Sequence, residues 1–422
     1  MMITGASGYI GSRLVTRARD AGFRVVAAVR DPARASVPSD VRVRQFDLGQ
    51  PFDAALVDGV NVIVHLAAII HEDSQPAEVS EDLNVSGTRR LLECARERAV
   101  SRFVFVSSQS AAQSSPTKYG RSKWQIEQLL TCEGEIVVQP GMVTGGAPGG
   151  VYGTLLKLCR RFPIVPVVNG SAPVYPVHID DLCDGILKIA GSDWPSRGVV
   201  RVAARAPMAF TAYLRMLGLT RLGRPVMPLR VPFAPVLWIN RIAARSRWLP
   251  SVSEERLIGL AALKPVREDP RASTQDAAPV RDVREVLAGE GRRRRLLLEG
   301  RTLFWYCLGG RMPSTSVRHF VRGVLNESDC SPVDLPWVVH LWPRLLLFFE
   351  PTRASGHTRL RRRIDIATRI VEMTPGAAPI FHNYIGGSRI AAMCRVASLL
   401  VVEGCLLPIR ALISRLSTRT RA

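Results

Sequence analysis

The sequence of 422 residues predicts an α/β fold with a doubly wound parallel sheet. The chain opens with a short apolar run, Met1–Thr4, which leads through a glycine-rich turn, Gly5–Gly11, into a helical pattern starting near Ser12. Further apolar runs then alternate with helical patterns, which is the order of elements in a parallel sheet. The runs are rich in Val and Ile with little alternation, as expected for strands covered on both faces.

The individual strands and helices follow from their own patterns. The first helix carries an apolar face of Ile10, Leu14, Val15 and Ala18, and it ends at Gly22, a residue type that favours helix termination. Later strands are predicted at Phe23–Val29, Val41–Phe46, Val60–Ala68, Arg102–Ser107 and Val199–Ala203. Later helices are predicted at Asn84–Glu97, Leu182–Ile189 and Ser253–Leu263.

The glycine-rich turn predicts a dinucleotide site. Gly5, Gly8 and Gly11 let the backbone approach a pyrophosphate, and the helix that follows offers free N–H groups and a favourable dipole. NAD binding usually needs a carboxylate near the end of the second strand, where this chain has Arg30 followed by Asp31. A cation there suits the 2′-phosphate of NADP(H). NAD(H) stays open, because a small loop shift would present Asp31 instead.

Tyr119 and Lys123 stand four residues apart, so they share one face of a helix. The lysine charge favours the phenolate and lowers the pKa of the tyrosine, which suits a proton donor and acceptor for an alcohol–ketone interconversion. Such a pair also arises by chance on helix surfaces. The pair becomes informative about function because a dinucleotide-binding pattern precedes it in the chain.

Eight short motifs in order make the chain similar to the extended short-chain dehydrogenase/reductases of the NAD-dependent epimerase/dehydratase group, from residue 1 to about 285. They are Thr4–Gly11, Asp47–Leu48, His65–Ala68, Asn84–Thr88, Ser107–Ser108, Tyr119–Lys123, Gln139–Gly141 and Val177–Leu182. The resemblance implies a Rossmann-type sheet with a smaller C-terminal substrate lobe. We expect an NAD(P)-binding domain at 1–288, with its substrate lobe mainly from 141–177 and 200–288, and an accessory region at 289–422.

The resemblance also implies roles for individual residues. Ser108 would hydrogen-bond the substrate oxygen, Tyr119 would exchange the proton, and Lys123 would complete the catalytic set. His65 would form part of the cleft wall, and Arg13 could assist Arg30 at a 2′-phosphate. The expected cofactor-binding residues are Gly5, Ser7, Gly8, Tyr9, Ile10, Gly11, Arg30, Asp47, Leu48, Leu66, Ala67, Ala68, Asn84, Lys123 and Pro140.

The resemblance, together with the Tyr119–Lys123 pair, implies an NAD(P)-dependent oxidoreductase or epimerase acting on a secondary alcohol or ketone, and the resemblance alone implies that of a nucleotide-linked sugar. Three features depart from the family pattern: only ten residues separate Ser108 from Tyr119, Gln139 stands where the family commonly has Arg, and the first strand is short. The first departure weakens the sugar part of the prediction. One alternative is an NADPH-dependent ketone reductase with a sterol- or polyketide-like substrate. Another is a non-catalytic, cofactor-binding scaffold whose basic tail attaches it to a membrane or to a protein complex.

The C-terminal region is basic and mainly helical. With 57 Lys+Arg against 36 Asp+Glu the chain has a net charge of +21, and arginine runs such as Arg292–Arg295 and Arg361–Arg363 lie in this region. Leu335–Phe349 and Val396–Ile413 are apolar and aromatic but shorter than the ~18 uninterrupted apolar residues of a spanning helix. They predict peripheral membrane contact or inward-packing helices. No nucleic-acid module is recognisable.

Redox state and location follow from the cysteines and the N-terminus. The eight cysteines lack metal-ligand spacing, so we expect reduced thiols and no metal site. Because the first strand starts at the N-terminus, we expect no signal peptide and a cytoplasmic protein, with peripheral attachment at the inner face of the membrane left open. A homodimer is also left open.

Overall fold

The protein is built on a seven-stranded parallel sheet. The computed structural model describes residues 1–69, 77–191, 197–245, 254–262, 279–308, 313–333, 335–348 and 358–373. In these residues the strands are β1 Met2–Thr4, β2 Val26–Val29, β3 Arg42–Gln45, β4 Val62–His65, β5 Arg102–Val106, β6 Glu135–Pro140, β7 Met142–Thr144, β8 Ile164–Val167, β9 Pro173–Val174, β10 Pro176–His178, β11 Gly198–Val202, β12 Met208–Ala209 and β13 Met227–Arg230.

The order of strands in the main sheet is β11-β6-β5-β4-β1-β2-β3. The direction of winding reverses between β1 and β4, whose paired residues include Thr4 and His65. In doubly wound sheets such a switch point opens a crevice outside the carboxyl ends of the strands, where ligands bind. The predicted doubly wound parallel sheet is therefore confirmed, and it places the candidate site at the ends of β1 and β4.

Helices cover both faces of this sheet. The described residues of the whole chain form the helices α1 Tyr9–Asp20, α2 Ala77–Glu97, α3 Lys118–Leu129, α4 Gly150–Arg161, α5 Ile179–Ala190, α6 Phe210–Leu217, α7 Phe233–Arg245, α8 Glu254–Ala261, α9 Val283–Leu308, α10 Ser314–Leu325, α11 Trp337–Leu341 and α12 Arg359–Glu372, of which α1, α2, α3 and α5 pack on the sheet. One buried cluster joins α1 and α5 to the sheet, for example through Leu14 and Ile186. A second cluster joins α2 and α3 to it, through Leu91 and Ile126.

Three predicted helix starts are late, among them that of α5, which begins at Ile179 rather than at Leu182. Helix α1 begins at Tyr9 rather than near Ser12, because Gly8 is the extended N-cap residue and its carbonyl already accepts the Ser12 N–H at 2.9 Å. Helix α2 begins at Ala77, seven residues before the predicted Asn84. Helix propensity marks the apolar middle of a helix more clearly than its polar first turns.

Short strand pairings and helices lie beside the main sheet. Strands β7 and β10 pair in parallel, β9 and β12 pair antiparallel, and β8 and β13 pair in parallel. Helix α4 contacts α6 and β8, and α6 contacts β13. This region contributes one wall of each cavity described below.

Clustering of contacts divides the chain into two compact units, residues 1–219 with 226–290 and residues 220–225 with 291–422. The second unit has its own helical core, which includes Phe304, Phe320 and Leu346. Its buried Arg363 donates to Glu327 at 2.8 Å and to the carbonyl of Asp329 at 2.6 Å. Among the described helices, none combines the length and hydropathy that crossing a bilayer requires.

The predicted apolar segment Leu335–Phe349 lies partly in the core of the second unit and partly on its surface. Val339 and Leu346 are fully buried, whereas Trp337, Leu341 and Trp342 are about half exposed or more. Inward packing thus holds for Val339 and Leu346, while the expected peripheral membrane contact of this segment stays a prediction. The segment Val396–Ile413 lies outside the described residues.

Candidate active site

A cavity of about 590 Å³ lies at the carboxyl ends of the central strands. Its lining includes the glycine-rich turn after β1, the ends of β2 and β4, the segment after β5 and the start of α3. Of the residues predicted to bind cofactor or act in catalysis, those that line it are Gly5, Ser7, Gly8, Tyr9, Ile10, Gly11, Arg30, Asp47, Leu48, Leu66, Ala67, Ala68, Ser108, Tyr119 and Pro140. Asn84 and Lys123 are outside this lining.

The glycine-rich turn forms a cradle that side chains would fill. Gly5 has a φ of +65°, and a Cβ at Gly11 would lie 2.1 Å from the Gly5 carbonyl oxygen. Gly8 caps α1 without any side-chain hydrogen bond, so no capping side chain occupies this helix N-terminus. The chemistry of this cradle fits the pyrophosphate of a dinucleotide, which needs close backbone approach and N–H donors.

The end of β2 presents Arg30 to the cavity. Asp31 is used locally: its carboxylate accepts the Ala33 N–H at 3.1 Å and pairs with Arg34 at 3.3 Å. The expected assistance from Arg13 is wrong, because its guanidinium donates to both carboxylate oxygens of Asp180, at 2.6 and 3.0 Å. Of Arg13, Arg30 and Asp31, the charged residues considered for the ribose end of the cofactor, Arg30 alone is among the described residues that line the cavity.

Asp47 and Asn84 shape neighbouring parts of the wall. Asp47 accepts the Gly49 N–H at 2.9 Å, which fixes the turn that carries Leu48 into the lining. The amide of Asn84 binds both backbone groups of Ile69, accepting its N–H at 2.7 Å and donating to its carbonyl at 2.9 Å. Asn84 therefore holds the wall segment after β4 without being part of the lining.

His65 is a core residue, and the prediction that it forms the cleft wall is wrong. Its ring is completely buried and lies between the Thr4 hydroxyl at 2.7 Å and the Thr88 hydroxyl at 2.9 Å. Burial, together with the charge of Lys123, lowers the pKa of His65 to about 3, so the imidazole stays neutral. The strand's alternation turns His65 inward, and the wall is formed by Leu66, Ala67 and Ala68 after it.

Ser108 and Tyr119 line the cavity from two adjacent segments. The Ser108 hydroxyl lies 2.9 Å from that of Ser110. Thr117 caps α3 by accepting the Gly120 N–H at 3.1 Å, which fixes the first turn containing Tyr119. A Cβ at Gly120 would lie 2.1 Å from the Ser115 hydroxyl, so glycine allows the ten-residue segment to pack directly on α3.

Lys123 lies behind Tyr119, away from the lining. Its side chain is buried, and its ammonium donates to the Val106 carbonyl at 2.8 Å. The Nζ atom is 4.5 Å from the centre of the Phe105 ring and 5.7 Å from that of Tyr119. Burial lowers the pKa of Lys123 to about 7, and the charge of Glu127 opposes this effect. Any effect of its charge on the cavity would therefore pass through Tyr119.

Sequence reasoning missed the buried carboxylate of Glu127. It accepts hydrogen bonds from the Ser107 hydroxyl and from the side-chain amide of Gln139, the latter at 3.0 Å. The signal was present, since Glu127 follows Lys123 by four residues on the same helix face. It also accounts for the departure at Gln139, which serves as a neutral hydrogen-bond donor to this carboxylate.

The segments expected to form the substrate lobe also contribute to the cavity, through residues that were not predicted individually. Val151, Tyr152, Gly259 and Leu260 line it, and the Tyr9 ring stacks on that of Tyr152 at 6.3 Å. The Tyr9 hydroxyl donates to the Gly145 carbonyl at 2.8 Å, which ties the glycine-rich turn to these segments. Within the described residues, no group of three or more His, Cys, Asp or Glu side chains is arranged to hold a metal ion.

Comparison with known proteins identifies the N-terminal part. Residues 1–133 match the model of the NAD dependent epimerase/dehydratase family. A ceramide reductase of Caulobacter vibrioides is 32% identical over 184 residues, which cover 42% of this chain and 57% of the relative. A 3 beta-hydroxysteroid dehydrogenase/Delta 5-->4-isomerase of Mycobacterium tuberculosis is 36% identical over 118 residues, 26% of this chain and 32% of the relative. The chain thus spans about half or less of the length of these relatives.

A solved structure supports the fold over a longer stretch. A nucleoside-diphosphate-sugar epimerase from Staphylococcus aureus superposes with a TM-score of 0.52 at 15% identity, covering 68% of this chain and 99% of that one. At this identity the likeness concerns the fold alone. Residues 1–133 are thus similar to the NAD dependent epimerase/dehydratase family, and the fold over the longer stretch is that of the superposed structure.

Proposed function

We propose that the protein is an NAD(P)-dependent oxidoreductase that interconverts a ketone and a secondary alcohol. The observation that carries this proposal is the shared lining: Ser108 and Tyr119 open onto the same cavity as the glycine cradle, and a buried ammonium lies behind Tyr119. A cofactor held by the cradle and a carbonyl held by the two hydroxyls would therefore meet in one space. The family of residues 1–133 supports a nicotinamide cofactor.

Each side chain has a defined task in such a reaction. A bound nicotinamide supplies the hydride to the carbonyl carbon or accepts it from the carbinol. Ser108 donates a hydrogen bond to the substrate oxygen, and Tyr119 gives that oxygen its proton during reduction. Lys123 stabilises the phenolate that this leaves on Tyr119. In the oxidation direction the same phenolate takes the proton back.

Arg30 supports a preference for NADP(H). It lines the cavity at the end of β2, whereas Asp31 is engaged by Ala33 and Arg34. A hydrogen bond to a charged phosphate contributes about 1.5–3 kcal/mol, so Arg30→Ala should weaken NADPH binding by about 10- to 100-fold. NADH binding should change little. Fluorescence titration with both cofactors measures this, and equal losses for both would contradict the preference.

The activity is tested by incubating the purified protein with a panel of ketones and reduced cofactor while following the absorbance of the reduced nicotinamide. A net reductase consumes the added cofactor. An epimerase instead retains tightly bound NAD, which is detected by denaturing the protein and measuring the released cofactor. If the protein binds NADPH but neither consumes the added cofactor nor retains bound NAD, the result would favour the scaffold alternative.

The nucleotide-linked sugar stays a prediction. A second candidate, reduction of a ketone on a lipid-like substrate, is supported by two relatives that are described as a ceramide reductase and a steroid dehydrogenase. Reactions on a nucleotide-linked sugar and on a lipid-like ketone would use the same proton-transfer residues, and the two substrates differ in the groups attached to the reacting carbon. The homodimer also stays a prediction, and the molar mass in solution measures it.

We also propose peripheral membrane contact through the second compact unit. Trp337, Leu341 and Trp342 are exposed at α11, and indole rings favour the interface between lipid and water. Sedimentation with vesicles of phosphatidylglycerol tests this. Binding should weaken when both tryptophans are replaced by serine, and it should persist for Met373→Ser, which changes an exposed apolar residue of α12's C-terminal end. Unchanged binding of the double variant would exclude α11.

A further inference from the structure

A second, smaller cavity adjoins the substrate side of the catalytic cavity. It has a volume of about 60 Å³ and lies among α4, β8, α6, α7 and α8. Val151 of α4 and Leu260 of α8 line both cavities, so these two side chains form the wall that the cavities share. A substrate bound at Tyr119 that extends past this wall would enter the second cavity.

The walls of the second cavity are apolar. Leu155, Val165, Phe210 and Leu214 are all buried in the lining. Two lining side chains are polar, and both bind backbone carbonyls: the Thr154 hydroxyl donates to Gly150 at 3.2 Å, and the Asn169 amide donates to Ala261 at 3.0 Å. The lining contributed by the described residues contains no Lys, Arg, His, Asp or Glu.

This lining disfavours the phosphates of a nucleotide-linked sugar. Burying a charged group without a charged or hydrogen-bonding partner carries a large cost in free energy. In the larger cavity the basic residue among the described lining is Arg30, which lies at the end of β2 on the cofactor side. Apolar cavities, in contrast, remain dry and bind hydrocarbon groups.

We propose that the second cavity binds the aliphatic chain of the substrate. The inference rests on the proposed oxidoreductase function: the carbonyl lies at Ser108 and Tyr119, and the chain passes between Val151 and Leu260. The substrate class is then a long-chain ketone or secondary alcohol. The small volume limits the buried portion to a few methylene groups at one part of the chain.

A chain-length series tests the site by catalysis. Burial of each methylene in an apolar site should raise kcat/KM by about fourfold, so a series of 2-alkanones should show a steady rise followed by a plateau when the cavity is full. The expected result is this rise and plateau in the wild-type protein. A kcat/KM that is independent of chain length would overturn the proposal.

A binding series separates the chain site from catalysis. The affinity of 1-alkanols of increasing length, measured by calorimetry without any turnover, should rise by a similar factor per methylene. If alkanols bind in this way while no ketone is reduced, the proposed function fails and the chain site stands. If short and long ketones are reduced equally well, the function stands and the chain site fails.

Two variants of α4 locate the site. Leu158→Trp fills the second cavity, in which Leu158 is a lining residue, without changing the lining of the catalytic cavity. It should remove the dependence on chain length and leave the turnover of 2-butanone unchanged. Lys157→Trp, at the neighbouring exposed position, is the matched control and should keep the dependence. If a folded Leu158→Trp protein keeps the full dependence of kcat/KM on chain length, the chain does not bind in the second cavity. If that variant does not fold, the chain-length series of the wild-type protein still tests the proposal.

Discussion

Replacing Lys123 by methionine removes a buried charge while keeping an apolar side chain of similar length. The packing beside Phe105 is then retained, while the ammonium 5.7 Å from the centre of the Tyr119 ring and its hydrogen bond to the Val106 carbonyl are lost. In the proposed reduction, Tyr119 becomes a phenolate when it gives up its proton. The variant therefore removes a counter-charge that matters only when the proton is transferred.

The expected loss follows from the distance. At 5.7 Å and an effective dielectric constant of about 20, one unit charge stabilises the phenolate by about 3 kcal/mol. That corresponds to about a hundredfold in kcat. The charge exists only while Lys123 is protonated, and burial lowers its pKa to about 7. Ketone reduction by the wild-type protein should thus decline as the pH rises through about 7, and the variant should show no such decline.

The assay is the initial rate of reduced-nicotinamide consumption across the neutral pH range, with the most active ketone of the panel at saturation. Lys157→Met is the matched control, because Lys157 is an exposed lysine of α4 in neither cavity lining. It should keep the wild-type rate and pH profile. A Lys123→Met protein with the wild-type kcat, or a wild-type profile that is flat through neutral pH, would refute the electrostatic role.

Three further predictions concern the supporting structure. Glu127→Gln removes a charge that raises the pKa of Lys123, so the pH at which the rate declines should move lower; an unmoved midpoint would show that Glu127 does not tune the lysine. Gly11→Ala places a Cβ 2.1 Å from the Gly5 carbonyl oxygen and should reduce NADPH binding by more than about tenfold, whereas Gly323→Ala, which meets nothing within 4 Å, should leave it unchanged in the same fluorescence titration. Arg363→Met removes the partner of the buried Glu299 carboxylate and of the partly exposed Glu327, and it should destabilise the second unit by about 3–5 kcal/mol in urea unfolding; a loss below about 1 kcal/mol would contradict a structural role.

Much of the sheet and of the cofactor side could be predicted because their signals are local. A glycine with φ of +65° and a second glycine in contact with its carbonyl leave a fixed pattern, Gly5–Gly11, in the sequence. The i,i+4 spacing of Tyr119 and Lys123 places them on one helix face, and the structure brings the ammonium beside the ring. Such features need no knowledge of distant contacts.

The parts that could not be predicted depend on contacts between distant segments. His65 was expected at the cleft wall, yet it faces the core, because Thr4 and Thr88 supply partners for both ring nitrogens. Gln139 stands where the family commonly has Arg, and its acceptor, the Glu127 carboxylate, comes from another element that the sequence around Gln139 does not reveal. The apolar second cavity is assembled from five elements, and no single one of them carries a pattern for it.

The central claim is that Tyr119 supplies the proton for hydride transfer in the cavity that it shares with the glycine cradle. Single-turnover reaction of a ketone with cofactor deuterated at the reactive carbon, followed by mass spectrometry of the alcohol, tests it most directly. We predict deuterium at the carbinol carbon with the wild-type protein, and a rate reduced by at least about a thousandfold with Tyr119→Phe, in the range of general acid catalysis. Alcohol without deuterium, or an equal rate with Tyr119→Phe, would contradict the claim.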